Sequence, residues 1–203
     1  EWLYPILEDF RIDLVVDNKR KINLPIKPFT FIAASTMKGK LSAPFRNRFG
    51  MELELELYSL EDLVMILEKS AYKLRLLYDQ EALVEIAKRS RETPRSANRF
   101  LKQVRNYAQI NNGGKLTVNM TKESFDLYEI DALGIDKKDR KYLTALNNIF
   151  TRPVGVNAIA ATIGEDPTTI SETIEPYLLQ LGFVIRGSRG REITERGRNY
   201  ING

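Results

Sequence analysis

The sequence predicts three consecutive parts: an α/β segment with a β-hairpin over residues 1–58, an all-α block over 59–130, and a winged helix-turn-helix over 131–203. Three observations carry this. Up to Tyr58 the apolar residues alternate at two-residue spacing or run continuously, as in strands. From Ser59 to Tyr128 they recur at three and four residues, as on helix faces. After Asp131 three helical stretches lead into a glycine-tipped, arginine-rich hairpin, the element order of a winged helix-turn-helix.

Composition narrows the functional classes. With 203 residues and 43% hydrophobic content the chain can bury real cores, so a peptide toxin or a linker is excluded. There is no cysteine and no histidine. That removes disulfides, thiolate zinc sites, Cys or His nucleophiles and histidine proton shuttles, and it fits a reducing, cytoplasmic location. The longest apolar runs fall far short of the roughly 20 residues a bilayer span needs, and no charged-apolar-small leader opens the chain, so a non-exported protein without membrane contact is expected. The net charge of +4 says little about a polyanion partner. Its distribution says more: Phe183–Gly203 carries Arg186, Arg189, Arg191, Arg196 and Arg198 against Glu192 and Glu195, whereas Gly164–Tyr177 holds Glu165, Asp166, Glu172 and Glu175 with no base.

The elements follow in order. Glu1-Trp2-Leu3-Tyr4 enters an apolar-periodic segment without an initiator methionine, which reads as a fragment. Ile12, Leu14 and Val16 alternate with polar residues, Asp17-Asn18-Lys19-Arg20-Lys21 turns, and Ile22 and Leu24 resume: a β-hairpin. Phe29–Ser35 is a continuous apolar run of the kind buried in a parallel sheet, with Ser35-Thr36 at its carboxyl end, where open α/β sheets bind ligands. Leu41–Gly50 reads as one or two helical turns, with Ser42 as cap, Pro44 just inside and Gly50 as stop. Met51–Tyr58 alternates strictly and predicts a half-exposed edge strand.

Ser59-x-x-Asp62 has capping-box spacing and opens a helix to Leu76; Asp79–Ser90 predicts a second helix; Thr93 caps a third, with Pro94 at its first position and Asn111-Asn112-Gly113-Gly114 at its end. A short strand at Leu116–Val118 and a helix from Thr121 to Tyr128 close the block. The last part predicts helices at Asp136–Phe150, Val156–Ile163 and Thr168–Leu181, then a hairpin from Phe183 to Thr194 around Gly187-Ser188-Arg189-Gly190.

Few motifs carry chemistry by themselves. A phosphate loop Gly-x-x-x-x-Gly-Lys-Ser/Thr is absent from the 203 residues; Gly39-Lys40-Leu41 and Gly114-Lys115-Leu116 lack the first glycine and the hydroxyl and read as turns. Arg95 sits in the first turn of a helix whose N–H groups favour an anion, with Arg99 one turn on, so an anion site and a solvated basic face both fit. Arg46 and Arg48 close a short helix; a helix-end contact and an arginine finger aimed at a neighbouring subunit's phosphate both fit. The tip Arg186-Gly-Ser-Arg189-Gly-Arg191 puts three guanidiniums on a flexible hairpin, so contact with a phosphate strand and a solvated loop both fit, while Glu172 and Glu175 argue against base reading by the helix before it.

Taken together, Leu3-Tyr4-Pro5-x-x-Glu8-Asp9-Phe10, Pro28-Phe29-Thr30-Phe31-Ile32-x-Ala34-Ser35-Thr36, Ser42-x-Pro44-x-Arg46-x-Arg48-Phe49-Gly50, Thr93-Pro94-Arg95-x-Ala97-Asn98-Arg99, Pro153-Val154-Gly155, Ile174-Glu175-Pro176-Tyr177-Leu178 and Arg189-Gly190-Arg191 resemble the RuvB family of bacterial Holliday-junction branch-migration motors. The resemblance runs in order along essentially the whole chain. It implies that 1–58 is the remnant of a ring ATPase domain, that 59–130 is its helical lid, and that the phosphate loop and the Asp-Glu hydrolysis motif lie before Glu1. It further implies Arg48 as an arginine finger acting in trans, Ser35 or Thr36 as the γ-phosphate sensor, Arg95 as a second sensor, and Glu8, Asp9, Phe10 and Tyr58 as further nucleotide-site positions. Arg186, Arg189 and Arg191 would contact DNA, and Ile12, Leu14, Val16, Ile22 and Leu24 would dock the partner RuvA. ATP or ADP with Mg2+, double-stranded DNA at Holliday junctions, a homohexameric ring and a bacterial cytoplasm complete what the resemblance implies. Ser35 stands where the family usually has threonine, the hairpin turn is shortened, and Pro167 occupies a position often basic in relatives. The competing expectation is a non-enzymatic winged-helix DNA-binding or regulatory protein.

Overall fold

A computed structural model describes residues 3–16 and 20–203. Glu1, Trp2 and the Asp17-Asn18-Lys19 turn of the expected hairpin lie outside the described residues. By contact density the chain divides into two units, Glu1–Glu56 and Leu57–Gly203.

In the first unit, helix α1 (Tyr4–Glu8) leads through Phe10, whose φ of 50° bends the backbone, into strand β1 (Arg11–Val16). Strand β2 (Arg20–Pro25) pairs antiparallel with it, in the register Ile12↔Leu24 and Leu14↔Ile22. Arg20 and Lys21, expected in the turn, therefore already belong to the ladder. A 3-10 turn (Lys38–Lys40) and helix α2 (Ala43–Arg46) follow, with Ser42 at the N-cap position and Pro44 in the first turn.

Two strand expectations fail here. Phe29–Ser35 and Met51–Tyr58 carry no strand, and Ile32, Met51, Leu53 and Leu55 are exposed. The physical reason is that a strand exists through its ladder: an apolar run or alternation becomes a strand only when a neighbour supplies hydrogen bonds and a layer covers its face. Among the described residues neither segment has a ladder partner.

The second unit holds two cores. Helices α3 (Leu60–Lys73), α4 (Gln80–Lys88), α5 (Pro94–Asn111) and α6 (Val118–Leu127) enclose the first, in which Leu63, Leu67, Leu83, Ile86, Phe100, Leu101, Val104 and Phe125 are buried. The stripe Ala97, Leu101, Val104, Ala108 at three- and four-residue spacing is the buried face of α5, as its period requires. Ser59 and Thr93 cap α3 and α5 by accepting from Asp62 N and Ser96 N. The block is not wholly helical. Strand β3 (Leu77–Tyr78) pairs parallel with β4 (Lys115–Leu116), and α6 begins at Val118 under the Thr117 cap, three residues before the expected Thr121.

The second core is the winged helix. Asp136 and Asp139 form a reciprocal capping box at the start of α7 (Lys137–Asn148), and α8 (Val156–Ile163) ends on Gly164 at a φ of 67°. The third helix is interrupted. Helix α9 (Pro167–Thr169) widens into a π turn (Ile170–Ile174) before α10 (Glu175–Gln180). Pro176 has no N–H and its ring crowds the carbonyl four residues back, so a widened turn just ahead of it relieves the clash. Strands β5 (Val184–Gly187) and β6 (Gly190–Ile193) form the wing, Val154 adds a bridge to Arg191, and α11 (Glu195–Asn202) packs back on α7. Gly190 is obligatory: its φ is +131° and an added Cβ would overlap the Val154 backbone.

Candidate functional site

Of the expected nucleotide-facing residues of the first unit, Glu8 joins a cluster around Arg48. Its Nη1 donates to the Pro44 carbonyl at 2.6 Å, its Nε lies 2.8 Å from Glu8 Oε1, and its guanidinium stacks 4.0 Å from the Tyr4 ring centre. The helix-end contact foreseen for an arginine here is thus present. It coexists with a carboxylate and an aromatic platform that fix the guanidinium plane. Arg46 is exposed. Asp9 pairs with Arg11 at 3.3 Å, Phe10 packs edge-on against Phe29, and the Ser35 hydroxyl accepts from Met37 N at 3.0 Å beside exposed Thr36. The structure therefore joins Glu8 to Arg48 and leaves Asp9, Phe10, Ser35 and Thr36 outside that cluster. Tyr4 was missed by the sequence reading; its signal was the position one helical turn before Glu8.

In the second unit, Arg95 and Arg99 stand exposed on the first turns of α5. Among the described residues Arg95 has no ion-pair partner, whereas Arg99 lies over the Phe100 ring. The exposed side chain of Tyr58 is anchored through its backbone: Tyr58 N donates to the Glu92 carbonyl at 3.2 Å, next to the Thr93 cap.

At the wing the three arginines part company. Arg189 is exposed at the tip and Arg186 half-exposed, 4.0 Å from Glu175. Arg191 turns inward: Nε donates to Glu175 Oε1 at 2.7 Å and Nη2 to Glu175 Oε2 at 3.2 Å, with Ser171 Oγ at 3.4 Å. The Tyr142 hydroxyl donates to the same carboxylate at 3.0 Å. Burial and the neighbouring Glu175 carboxylate hold the Tyr142 phenol well above its ordinary pKa, so it stays a donor.

This corrects two sequence expectations. Arg191 is buried in a fork against Glu175 and braces the wing instead of facing outward, and Glu175 is neutralised inside the domain, so it does not repel phosphates. The signal was in the pattern. In β6 Arg191 shares a face with Ile193, which is core, and a buried arginine requires a carboxylate partner.

The hairpin of the first unit places Ile12 and Leu24, and Leu14 and Ile22, directly opposite one another, with Leu14, Ile22 and Leu24 exposed. That is an apolar face of cross-strand pairs, and Val16 pairs with Arg20 at its far end. Among the described residues no group of carboxylates is placed to hold a metal ion, and no helix is long and apolar enough to cross a membrane.

Three family models match in succession: the Holliday junction DNA helicase RuvB P-loop domain over 1–55, the RuvB AAA lid domain over 58–131 and the RuvB C-terminal winged helix domain over 132–202. Among curated relatives, the Holliday junction branch migration complex subunit RuvB of Lactobacillus johnsonii is 45% identical over 200 residues, 97% of this chain and 59% of that protein. The subunit of the same name from Picosynechococcus is 43% identical over 205 residues, 99% of this chain and 56% of that protein. The chain thus spans under two thirds of these relatives' length. Among solved structures, the Thermotoga maritima RuvB Holliday junction branch migration motor matches with a TM-score of 0.80 at 37% identity, covering 98% of this chain and 63% of that one. A single-substitution mutant of the same protein gives 0.83 at 38% identity, covering 99% and 64%.

Proposed function

The chain belongs to the RuvB family, and from that premise we propose that it is part of a motor subunit that couples ATP hydrolysis to branch migration of Holliday junctions in recombination and repair. The observation that carries the reading is the order of the matches: P-loop-domain segment, lid and winged helix follow one another over residues 1–55, 58–131 and 132–202.

In this reading ATP with Mg2+ supplies the free energy, and the phosphate loop and metal ligands come from sequence outside these 203 residues. What this chain contributes is charge and position. Glu8 and Tyr4 hold the Arg48 guanidinium in a fixed plane, and Arg48 acts in trans as an arginine finger when a neighbour's phosphate replaces the Glu8 carboxylate as its partner. The exposed guanidinium of Arg95, at the positive end of an 18-residue helix, senses nucleotide charge, with Tyr58 beside its cap. Ser35 or Thr36 reads the γ-phosphate through a hydroxyl, and Asp9 and Phe10 line the same nucleotide. The subunits form a homohexameric ring in the bacterial cytoplasm.

Arg186 and Arg189 contact the DNA backbone from a rigid wing, which suits a motor that must move along any sequence. The hairpin docks RuvA through Ile12, Leu14, Val16, Ile22 and Leu24, of which Leu14, Ile22 and Leu24 are exposed. The test uses the subunit at the full length of its relatives, with RuvA, ATP and a labelled four-way junction. Conversion of the junction to duplex products only with both RuvA and ATP is expected. Sequence-selective binding without movement would instead identify a winged-helix regulator.

A further inference from the structure

We propose that Arg91 and Glu92 are positioning residues that clamp the winged helix to the lid, so that a change read at Tyr58 and Arg95 reaches the wing as the motion of one rigid body. The clamp is built from one loop between α4 and α5. Arg91 alone engages three parts of the winged-helix domain: its Nε donates to the Gly134 carbonyl at 2.9 Å, its Nη2 pairs with the Asp139 carboxylate at the start of α7 and lies 3.6 Å from Asp136, and its guanidinium sits 4.9 Å from the Tyr177 ring centre in α10. A planar fork with donors in several directions fixes orientation as well as distance, which a lysine cannot do.

Glu92 faces both ways. Its carboxylate accepts from Gln180 Nε2 at 2.9 Å, at the end of α10, and its carbonyl accepts from Tyr58 N at 3.2 Å. The next residue, Thr93, caps the helix that displays Arg95. The candidate nucleotide-facing residues and the winged helix are thus tied to the same two residues.

The backbone supports a rigid joint. Arg91 and Glu92 are non-glycine residues at φ values of 53° and 54°, a conformation that persists where surroundings over-determine it. Gly134, at φ +75°, lets the chain entering α7 press against the lid: a Cβ there would overlap the Arg89 carbonyl. Tyr177 OH donates to the Leu133 carbonyl at 2.6 Å and closes the same seam. Burial of the Arg91 and Asp139 side chains, 11% and 2% exposed, keeps the ion pair out of water, where its direction matters most.

The proposal rests on the reading of Arg95 and Tyr58 as nucleotide-facing, but its mechanical half is separable. The chain has no cysteine, so spin labels at Lys102→Cys in α5 and Asn199→Cys in α11 report the lid-to-wing distance by pulsed dipolar spectroscopy without background. The labelled chain gives one narrow distance. In Arg91→Met with Asp139→Asn, which strands no buried charge and keeps an acceptor for Asp136 N, the narrow distance is lost; Gly134→Ala, which wedges the seam, loses it as well. If the core variants fail to fold, Glu92→Gln with Gln180→Ala, at the exposed end of the seam, gives the same broadening.

Distances superimposable on the parent's in folded variants would overturn the proposal. In the full-length subunit, Arg91→Met with Asp139→Asn keeps ATP hydrolysis and loses branch migration per ATP; equal loss of both, with a broadened distance, would overturn the transmission role. Absence of ATP hydrolysis in the parent would count against the functional reading while the distance result still judged the clamp.

Discussion

Removing the Arg191 side chain separates bracing from DNA contact. In Arg191→Ala the Glu175 carboxylate, 1% exposed, keeps Tyr142 as a donor but loses both guanidinium bonds. Breaking a buried ion pair from one side costs about 3–5 kcal/mol, because the remaining charge stays desolvated, here with Arg186 only at the 4.0 Å limit of an ion pair. At about 2–4 °C per kcal/mol for a unit of this size, the melting midpoint falls by roughly 6–20 °C. Replacing both partners, in Arg191→Met with Glu175→Leu, recovers most of that loss, since no charge is left buried. The assay is calorimetric or circular-dichroism melting of the 203-residue chain, paired with fluorescence anisotropy on duplex DNA across a salt series. A midpoint that moves by less than a degree or two, together with a salt slope reduced by about 0.9, would refute the bracing role and return Arg191 to the DNA face.

The other expectations follow from the same geometry. Removing Arg186 and Arg189 together weakens DNA binding equally on two unrelated duplexes and lowers the slope of log affinity against log salt by up to about 1.8, which salt-series anisotropy checks. In the full-length subunit Arg48→Ala lowers ATP hydrolysis by roughly 10³–10⁵ while nucleotide binding persists; activity regained on mixing with a phosphate-loop mutant marks action in trans. Asp139, pushed up to about 6 mainly by burial and only partly held down by Arg91, with Asp136 raising it further, binds its proton more readily folded than unfolded. Its sign is therefore the reverse of an ordinary salt-bridged carboxylate: the stabilisation from protonation is fully present below the unfolded value of 3.8 and fades as pH rises through about 6. Carbon-detected NMR titration of Asp139 gives that midpoint, and Arg91→Met moves it upward.

Much of this molecule is written in local chemistry. The caps Thr93 and Asp136, the stop at Gly164 and the three- and four-residue apolar spacing of α5 and α7 specify helices, because each satisfies backbone groups or buries one face within a few residues. The motif order and the wing were legible for the same reason. What tertiary structure alone decided concerns partners distant in sequence. Phe29–Ser35 and Met51–Tyr58 have the composition of strands but form none, since a ladder needs a second chain segment to supply its hydrogen bonds. Arg191 and Glu175, 16 residues apart, looked like an external cation and an external anion; the fold brought the β6 side chain against the α10 carboxylate and turned them into one neutral, buried fork. Arg91 and Asp139, 48 residues apart, carry no mark of each other in sequence. A charged side chain by itself does not say whether it meets solvent or a counter-ion, because its pattern is the same in both cases and only the fold sets the distance between opposite charges.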